Sequence, residues 1–247
     1  MIENLLYHIG RYCGMVAGMF RTLERPKVYY ELILAEVSSM IGGSMVIVII
    51  ISTFIGAVTC LQTAYQLTSG VFPDSIIGSV VSASTLLELS PTVMTFILAG
   101  RIGSKIASEI GAMRVTEQID AIEVMGINPI GYLVLPKIAG GLLALPLLVT
   151  VSAFLSHLGG MVSGELSGEV TAVEYTQGIQ EYFNPFYITV MYVKAIIFGF
   201  IITSVSAYQG FFTHGGSLEV GVSSTRAVVF SCLSMVFADY LIAELML

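Results

Sequence analysis

Long apolar runs with few charges dominate the chain. Between residues 38 and 73 the sequence carries no charge, and residues 45–67, rich in Ile and Val, are predicted to form the first membrane span. Four further apolar stretches follow, at residues 76–100, 138–164, 186–210 and 227–247. About 20 apolar residues suffice for a helix to cross a bilayer, so the pattern predicts an all-α integral membrane protein with five transmembrane helices.

The first 44 residues hold too many charges for a span. Apolar residues nevertheless recur there at helical spacing, beside Arg11 and Arg21; they are Ile2, Leu5, Leu6, Ile9, Val16 and Phe20. This amphipathic pattern is typical of helices in the membrane interface, so we expect N-terminal interfacial helices within residues 1–44. The sequence begins without the basic segment and short apolar core of a cleaved signal peptide, so we expect none.

Composition supports the same class of protein. Hydrophobic residues make up 55% of the 247 positions and charged residues only 11%, against about 25% charged in soluble domains. A net charge of -7 makes nucleic acid a poor partner. Cys13, Cys60 and Cys232 are far apart and form no CxxC pair, so we expect neither a disulfide framework nor a metal site.

The basic residues predict an orientation. Nine of the ten Lys and Arg fall on one side of the predicted topology: Arg11, Arg21, Arg25, Lys27, Arg101, Lys105, Arg114, Lys137 and Arg226. The connections on the other side, at residues 68–75 and 165–185, hold acidic residues and no basic ones. By the positive-inside rule, we expect the N-terminus in the cytoplasm and the C-terminus outside.

Glu88 interrupts the second span with an ionisable side chain. A charged residue at the centre of a span costs about 2.5–3.5 kcal/mol on insertion scales, so such residues usually face a cavity, a partner or the bundle interior. Pro91 cannot donate to the carbonyl of Leu87, which weakens the helix beside Glu88. Glu88 is therefore a candidate for lining or gating a substrate path. The alternative is a protonated glutamate tied to a neighbouring helix.

Two other polar residues lie within predicted spans. Gln62 is a weaker candidate for the same cavity, because an amide in hydrocarbon needs a partner. Lys194 lies in the fourth span, where it can snorkel to the surface, pair with Glu88 or Asp239, or contact a phosphate. We favour snorkelling or pairing.

A short amphipathic helix is predicted at residues 113–125, outside the membrane. Its apolar face holds Val115, Ile119 and Ile122, and its acidic face holds Glu117, Asp120 and Glu123. Gly126 and the following Asn-Pro pair supply the stop. The helix either lies on the bilayer or docks a partner. An anionic leaflet would repel its acidic face, which favours the partner.

The central sequence resembles a known family. Its motifs are Glu88-Leu89-Ser90-Pro91, AGRIGS at residues 99–104, ASEIGAMRVTEQIDA at residues 107–121, and Met125-Gly126. They closely resemble the signature of the MlaE family, the permease subunits of bacterial ABC transporters that move phospholipid between inner and outer membranes. Many relatives have an arginine before the glutamate, where this chain has Leu87.

The resemblance implies one MlaE-type permease domain over residues 1–247. It implies a homodimer in the bacterial inner membrane, with a periplasmic C-terminus, that maintains outer-membrane lipid asymmetry. It also implies a cytoplasmic MlaF-like ABC ATPase and a periplasmic MlaD-like protein with a lipid-binding MCE domain. The helix at residues 113–125 is similar to the coupling helix. The residues expected to contact the ATPase are Arg114, Glu117, Gln118, Asp120, Glu123 and Met125.

The family also suggests a lipid path and a source of energy. Gln62 has a family counterpart near the lipid site, and we expect apolar walls for acyl chains from Leu61, Tyr65, Val81 and Leu86. Residues 100–105 lack the GxxxxGK[ST] spacing of a phosphate loop, so ATP is expected on the partner ATPase, with no cofactor on this chain and no enzymatic activity of its own.

Two rival functions remain open. A self-sufficient secondary transporter or channel for a small amphipathic substrate would need ionisable pairs within the spans, and only Glu88 and Lys194 qualify. A membrane hydrolase would have to use Ser156 and His157. Adjacent helical residues point in different directions, which argues against that pair.

Overall fold

A computed structural model describes residues 2–19, 26–67 and 73–246. The helices are α1 (Ile2–Gly18), α2 (Pro26–Leu67), α3 (Ser75–Val115), α4 (Gln118–Val124), α5 (Ile130–Ser167), α6 (Ala172–Glu181), α7 (Pro185–Phe211) and α8 (Ser217–Met246). No strand occurs in these ranges. Five of the helices, α2, α3, α5, α7 and α8, are long and apolar enough to cross a membrane, which confirms the predicted all-α class with five spans.

The helices extend beyond the apolar stretches that predicted them. Helix α2 begins at Pro26, so residues 26–44, expected in interfacial helices, belong to the same helix as the first span. Helix α3 continues to Val115, past the predicted end at residue 100. Lys, Arg and Glu have high helix propensity, so a helix continues where its apolar part ends. Helix α1 occupies the predicted interfacial segment, while Phe20, Arg21, Arg25 and residues 68–72 lie outside the described residues.

Two segments of α3 are π-helical, Thr85–Val93 and Ala99–Gly103, and α5 opens with a third, Ile130–Val134. The first contains both Glu88 and Pro91. A proline removes one helical N–H donor, and a π-helical stretch accommodates such a defect without ending the helix. The predicted weakness beside Glu88 thus takes the form of a widened helix.

Residue contacts divide the chain into two compact units. Unit 1 comprises Met1–Gly42, Leu98–Ala144 and Ile197–Tyr240. Within it, Nζ of the buried Lys137 lies 2.6 Å from Oε1 of Glu36 and 3.0 Å from Oε2 of Glu109. One lysine therefore connects α2, α3 and α5. The sequence patterns did not predict this cluster, because its members are far apart along the chain.

Unit 2 comprises Gly43–Ile97, Leu145–Ile196 and Leu241–Leu247. Within it, α2 and α5 approach at backbone distance. A Cβ added to Gly56 would lie 1.8 Å from the carbonyl oxygen of Ser156, and one added to Gly159 would lie 2.1 Å from that of Thr53. Small residues permit such contact between membrane helices, and hydroxyl hydrogen bonds strengthen it. Ser52 donates to the Ser152 hydroxyl at 2.9 Å.

Helix α6, in the connection between α5 and α7, packs against the start of α3. A Cβ added to Gly178 would lie 1.7 Å from the carbonyl oxygen of Ser75. A capping box opens α6: Glu174 N–H donates to the Thr171 hydroxyl oxygen, and the Glu174 carboxylate accepts from the Thr171 backbone. These contacts fix the position of α6 within unit 2.

Candidate functional site

Glu88 and Lys194 form an ion pair between α3 and α7. Lys194 Nζ donates to Oε1 of Glu88 at 2.6 Å and to the carbonyl oxygen of Leu87 at 2.9 Å. Thr92 donates to the other carboxylate oxygen at 3.0 Å. The lysine side chain is fully buried, so of the roles considered for it, pairing is the one the structure shows.

The two partners differ in accessibility. The Glu88 side chain is 47% exposed, whereas that of Lys194 is 0% exposed. The next residue, Leu89, lines an apolar groove of about 410 Å³ with residues of α2, among them Phe54 and Val58. The π-helical segment therefore presents a half-exposed carboxylate next to a residue that borders an apolar surface.

A larger groove lies between α2 and α5 and is called here the α2/α5 groove. It has a volume of about 580 Å³ and is lined by Thr53, Phe54, Ala57, Leu61, Leu155, Leu158, Gly159, Val162, Ser163, Leu166 and Ser167. A cavity of about 520 Å³ shares Leu61 and Ser167 with it and adds Tyr65 and Glu169. The groove has an apolar body and a polar end, and an amphiphilic molecule has the same distribution of apolar and polar parts.

The residues predicted for a lipid path lie in different places. Leu61 and Tyr65 line the groove and its polar end, respectively. Gln62 is exposed on α2 and lines neither cavity. Val81 and Leu86 are buried in two separate side-chain clusters of unit 2, packed against protein. Assignment of any of them to a lipid path stays a prediction.

Phe54 and Leu158 also line the α2/α5 groove, and the sequence patterns did not predict them. Apolar residues within an apolar span carry no pattern that separates a groove wall from a surface that faces lipid. The glycines at positions 56 and 159 are the available signal, since they mark where two helices come close.

The predicted coupling helix at residues 113–125 is divided in the structure. Helix α3 runs to Val115, Glu117 adopts a left-handed backbone with φ of 59°, and α4 begins at Gln118. A salt bridge of 2.6 Å between Arg114 and Asp120 spans the break. The prediction of a single continuous helix was wrong, because the left-handed backbone of Glu117 ends the α-helical conformation there.

The side chains expected to contact the ATPase are mostly exposed. Glu117, Gln118, Asp120 and Glu123 are exposed, and Arg114 is partly exposed. Val124 and Met125 are 88% and 67% exposed at the end of α4, whereas Ile119 is fully buried. Ile119 therefore packs α4 against the rest of the protein. Val124 and Met125 form an exposed apolar tip beside the acidic residues.

Comparison with known proteins identifies the family. The family described as Permease MlaE matches residues 33–245. The chain belongs to the MlaE permease family. An MlaE chain of this kind is a multi-pass membrane protein and the transport permease of an ABC transporter, a type of subunit that is generally not catalytic.

Several relatives cover most of this MlaE chain. A probable ABC transporter permease protein of Rickettsia bellii is 34% identical over 242 residues, 98% of this chain and 93% of the relative. One of Synechocystis is 34% identical over 212 residues, 85% and 80% of the two chains. The Arabidopsis thaliana protein named TRIGALACTOSYLDIACYLGLYCEROL 1, chloroplastic, is 32% identical over 221 residues, 88% of this chain and 62% of the relative.

The geometry of Ser156 and His157 does not match the pair that the hydrolase alternative requires. Ser156 donates to the carbonyl oxygen of Ser52 at 2.9 Å. His157 Nε2 lies 3.4 Å from the hydroxyl of Ser82. Ser156 and His157 therefore contact different groups, and a nucleophile would need its hydroxyl directed to the base.

Proposed function

We propose that this chain is the permease subunit of an ABC transporter that moves phospholipids between the inner and outer bacterial membranes and so maintains outer-membrane lipid asymmetry. The observation that carries the proposal is the α2/α5 groove, with its apolar body and a polar end at Tyr65, Ser167 and Glu169. A phospholipid has acyl chains that suit the first part and a polar headgroup that suits the second.

The name of one relative favours a lipid substrate. The Arabidopsis relative is named after a glycerolipid, trigalactosyldiacylglycerol. A glycerolipid shares with a phospholipid the diacylglycerol part that an apolar groove would hold. The family and the groove chemistry thus favour the same class of substrate.

Glu88 is the proposed gating residue. It lies in a π-helical segment, is half exposed, and is connected to α7 through Lys194. A segment with a helical defect changes shape at low cost, and a carboxylate there would move with it. In the proposal, Glu88 controls lipid entry, and Gln62, Leu61 and Tyr65 border the path. Val81 and Leu86 of α3, which are buried in this structure, join its wall when α3 moves during transport.

ATP binding and hydrolysis are assigned to a separate MlaF-like ATPase, with no cofactor on this chain. The proposed contact is α4 with the preceding turn. Its exposed Val124 and Met125 provide an apolar anchor, and the carboxylates of Glu117, Asp120 and Glu123 suit a basic cleft. Movement of α4 would reach α3 through the Arg114–Asp120 salt bridge.

The remaining partners follow from the family. We assign a second copy of this chain, because five spans are few for a complete translocation pathway, and a periplasmic MlaD-like MCE protein. The distribution of basic residues supports an inner-membrane orientation with the N-terminus in the cytoplasm and the C-terminus in the periplasm.

The test is isolation from the native membrane with a mild detergent, followed by mass spectrometry of bound proteins and lipids. We expect a P-loop ATPase, an MCE-domain protein and phospholipid in stoichiometric amounts. The isolated complex, in proteoliposomes, should transfer fluorescent phospholipid only when ATP is present. Transfer by the lone chain without an ATPase would contradict the proposal and support a secondary transporter or channel.

A further inference from the structure

Unit 1 contains a separate cavity, called here the α1 pocket. It has a volume of about 520 Å³ and lies between α1, α7 and α8. The side chains on which the argument rests are His8 and Tyr12 from α1, Tyr208 and Gln209 from α7, and Arg226 and Phe230 from α8. None of its lining residues belongs to the α2/α5 groove.

Polar contacts hold the wall of this pocket in place. His8 Nδ1 and the hydroxyl of Tyr208 are 2.8 Å apart, and the hydroxyls of Tyr12 and Ser204 are 2.7 Å apart. Both contacts join α1 to α7. The pocket therefore exists before any ligand enters, which lowers the entropic cost of binding.

The pocket presents an arginine cation that pairs with none of the described carboxylates. Arg226 is exposed, and in the described part of the chain no acidic side chain forms a salt bridge with it. Among the residues that the structure describes, no Asp or Glu lines the pocket. The guanidinium group binds phosphate through two parallel hydrogen bonds, and the Gln209 amide adds a further donor. The polar side of the pocket therefore suits a phosphate group.

Apolar side chains stand beside this cation. Ile9 of α1 and Phe230 of α8 both line the pocket and are 50% and 49% exposed. A free phosphate ion would make no apolar contact with either side chain. A glycerophospholipid would cover them with its acyl chains while its phosphate meets Arg226. The combined lining therefore favours the lipid over the ion.

We propose that the α1 pocket binds a glycerophospholipid, with its phosphate on Arg226 and the start of its acyl chains against Ile9 and Phe230. The lipid connects α1 to α8 and belongs to the leaflet in which α1 lies. This binding site does not depend on the proposed function, because a lipid can be held here whether or not the chain transports one.

The experiment uses the isolated full complex in nanodiscs that contain a phosphatidylglycerol with a photoreactive acyl chain. After irradiation, labelled peptides are quantified by mass spectrometry. We expect labelling of peptides from α1 and α8, reduced about tenfold by Arg226→Gln, since hydrogen bonds to charged groups contribute about that factor. Arg101→Gln is the matched control, because Arg101 is also exposed in unit 1 and does not line the pocket.

Two further arms separate the sources of phosphate. A photoreactive diacylglycerol with the same chains should label the pocket about tenfold less than phosphatidylglycerol, and millimolar inorganic phosphate should not compete. Equal labelling by diacylglycerol, or equal loss in both arginine variants, would overturn the phosphate contact. Displacement of the lipid by inorganic phosphate would overturn the lipid assignment, and cross-linking of these peptides to a partner protein in place of lipid would show a protein interface.

Because Arg226 is exposed, we expect its variant to fold. A second variant, Phe230→Ala, tests the apolar contact independently. It should weaken labelling by both probes while leaving the preference for phosphatidylglycerol over diacylglycerol intact. Unchanged labelling in Phe230→Ala would exclude the proposed position of the acyl chains.

Discussion

Nζ of Lys194 lies 2.6 Å from Oε1 of Glu88. The lysine side chain is fully buried, whereas the glutamate side chain is 47% exposed. The pair is therefore asymmetric. Loss of the carboxylate removes a charge-assisted hydrogen bond from a cation that has no access to solvent. Loss of the lysine leaves a carboxylate that is half exposed. The two single substitutions should differ in cost for this reason.

We predict that Glu88→Gln lowers the free energy of unfolding by about 2 kcal/mol, less than for a fully buried pair because Glu88 is half exposed. The double variant Glu88→Gln with Lys194→Met should regain part of that loss, since the buried charge is gone. Thermal unfolding in detergent of the unmodified protein, the two single variants and the double variant gives a double-mutant cycle. Additive losses in the double variant would contradict coupling between the two residues.

A folded Glu88→Gln variant also tests the gate. Phospholipid transfer by the complex should fall, and stimulation of the ATPase by lipid should fall with it. Transfer and stimulation at the level of the unmodified complex would remove Glu88 from the mechanism and leave the ion pair a purely structural role.

Among the described cations of unit 1, we predict that Lys137 is the one whose substitution lowers the free energy of unfolding most. Its side chain is 3% exposed and meets both Glu36 and Glu109. Lys137→Met should lower the free energy of unfolding by about 2–3 kcal/mol, because two carboxylates lose their common partner. Lys105→Met is the control, since the exposed Lys105 donates only to Ser39 among the hydrogen bonds described. Equal effects of the two substitutions, measured by thermal unfolding, would argue against the cluster.

The contact between α2 and α5 predicts opposite outcomes for two glycines of one helix. A Cβ at Gly56 would overlap the carbonyl oxygen of Ser156, so Gly56→Ala should cost about 1–3 kcal/mol by forcing the helices apart. A Cβ at Gly42 meets nothing within 4 Å, so Gly42→Ala should leave stability unchanged or raise it slightly. Thermal unfolding of both variants decides. A neutral Gly56→Ala would show that α2 and α5 do not touch there.

The capping box of α6 predicts a pH dependence. Hydrogen bonds from the Thr171 side chain and backbone lower the pKa of Glu174 from its ordinary value of 4.5. A lowered pKa in the folded state means that the carboxylate stabilises α6 above pH 4.5 and loses this effect as the pH falls through the lower value. Hydrogen exchange of α6 should therefore be faster in Glu174→Gln than in the unmodified protein at pH 6.

The same comparison at a pH below the lowered pKa of Glu174 should show a smaller difference, because the native carboxyl is then protonated. Glu181→Gln, at the other end of α6 and outside the capping box, is the control and should show no such difference at either pH. A gap between Glu174→Gln and the unmodified protein that stays constant with pH would contradict a role for the ionised carboxylate.

The sequence predicted the five spans because each rests on a local signal, a run of apolar residues long enough to cross a bilayer. It misplaced the ends of α2 and α3, since hydropathy reports where a helix is apolar and not where it stops. The break at Glu117 was also missed. A left-handed residue other than glycine is uncommon, and the amphipathic pattern continued across it.

The candidate site was harder to predict, because it depends on contacts between distant residues. Glu88 stood out as a charge in a span, yet its pairing with Lys194 was only one of several alternatives for the lysine. Gln62 has the sequence signal of a cavity residue and lines neither cavity, whereas Phe54 has no signal and lines the α2/α5 groove. A charge within a span marks a side chain that needs a polar partner, as Glu88 and Lys194 show, whereas apolar character within a span marks no particular position.

The exposed tip of α4 gives a sharp test of coupling. Val124→Asp places a charge on a side chain that is 88% exposed, so folding of the permease should be unaffected while the apolar contact with an ATPase is lost. We expect the isolated complex to lose its ATPase and its ATP-dependent lipid transfer. Val173→Asp is the matched control, because Val173 of α6 is 74% exposed and lies in the connection that follows α5 in the sequence, whereas α4 precedes α5. It should leave ATPase binding unchanged.

If both variants retain the ATPase, the contact is not at this tip. If both lose it, the effect does not come from α4. Only loss in Val124→Asp alone assigns the contact with the ATPase to the tip of α4, from which movement can reach α3 through the Arg114–Asp120 salt bridge.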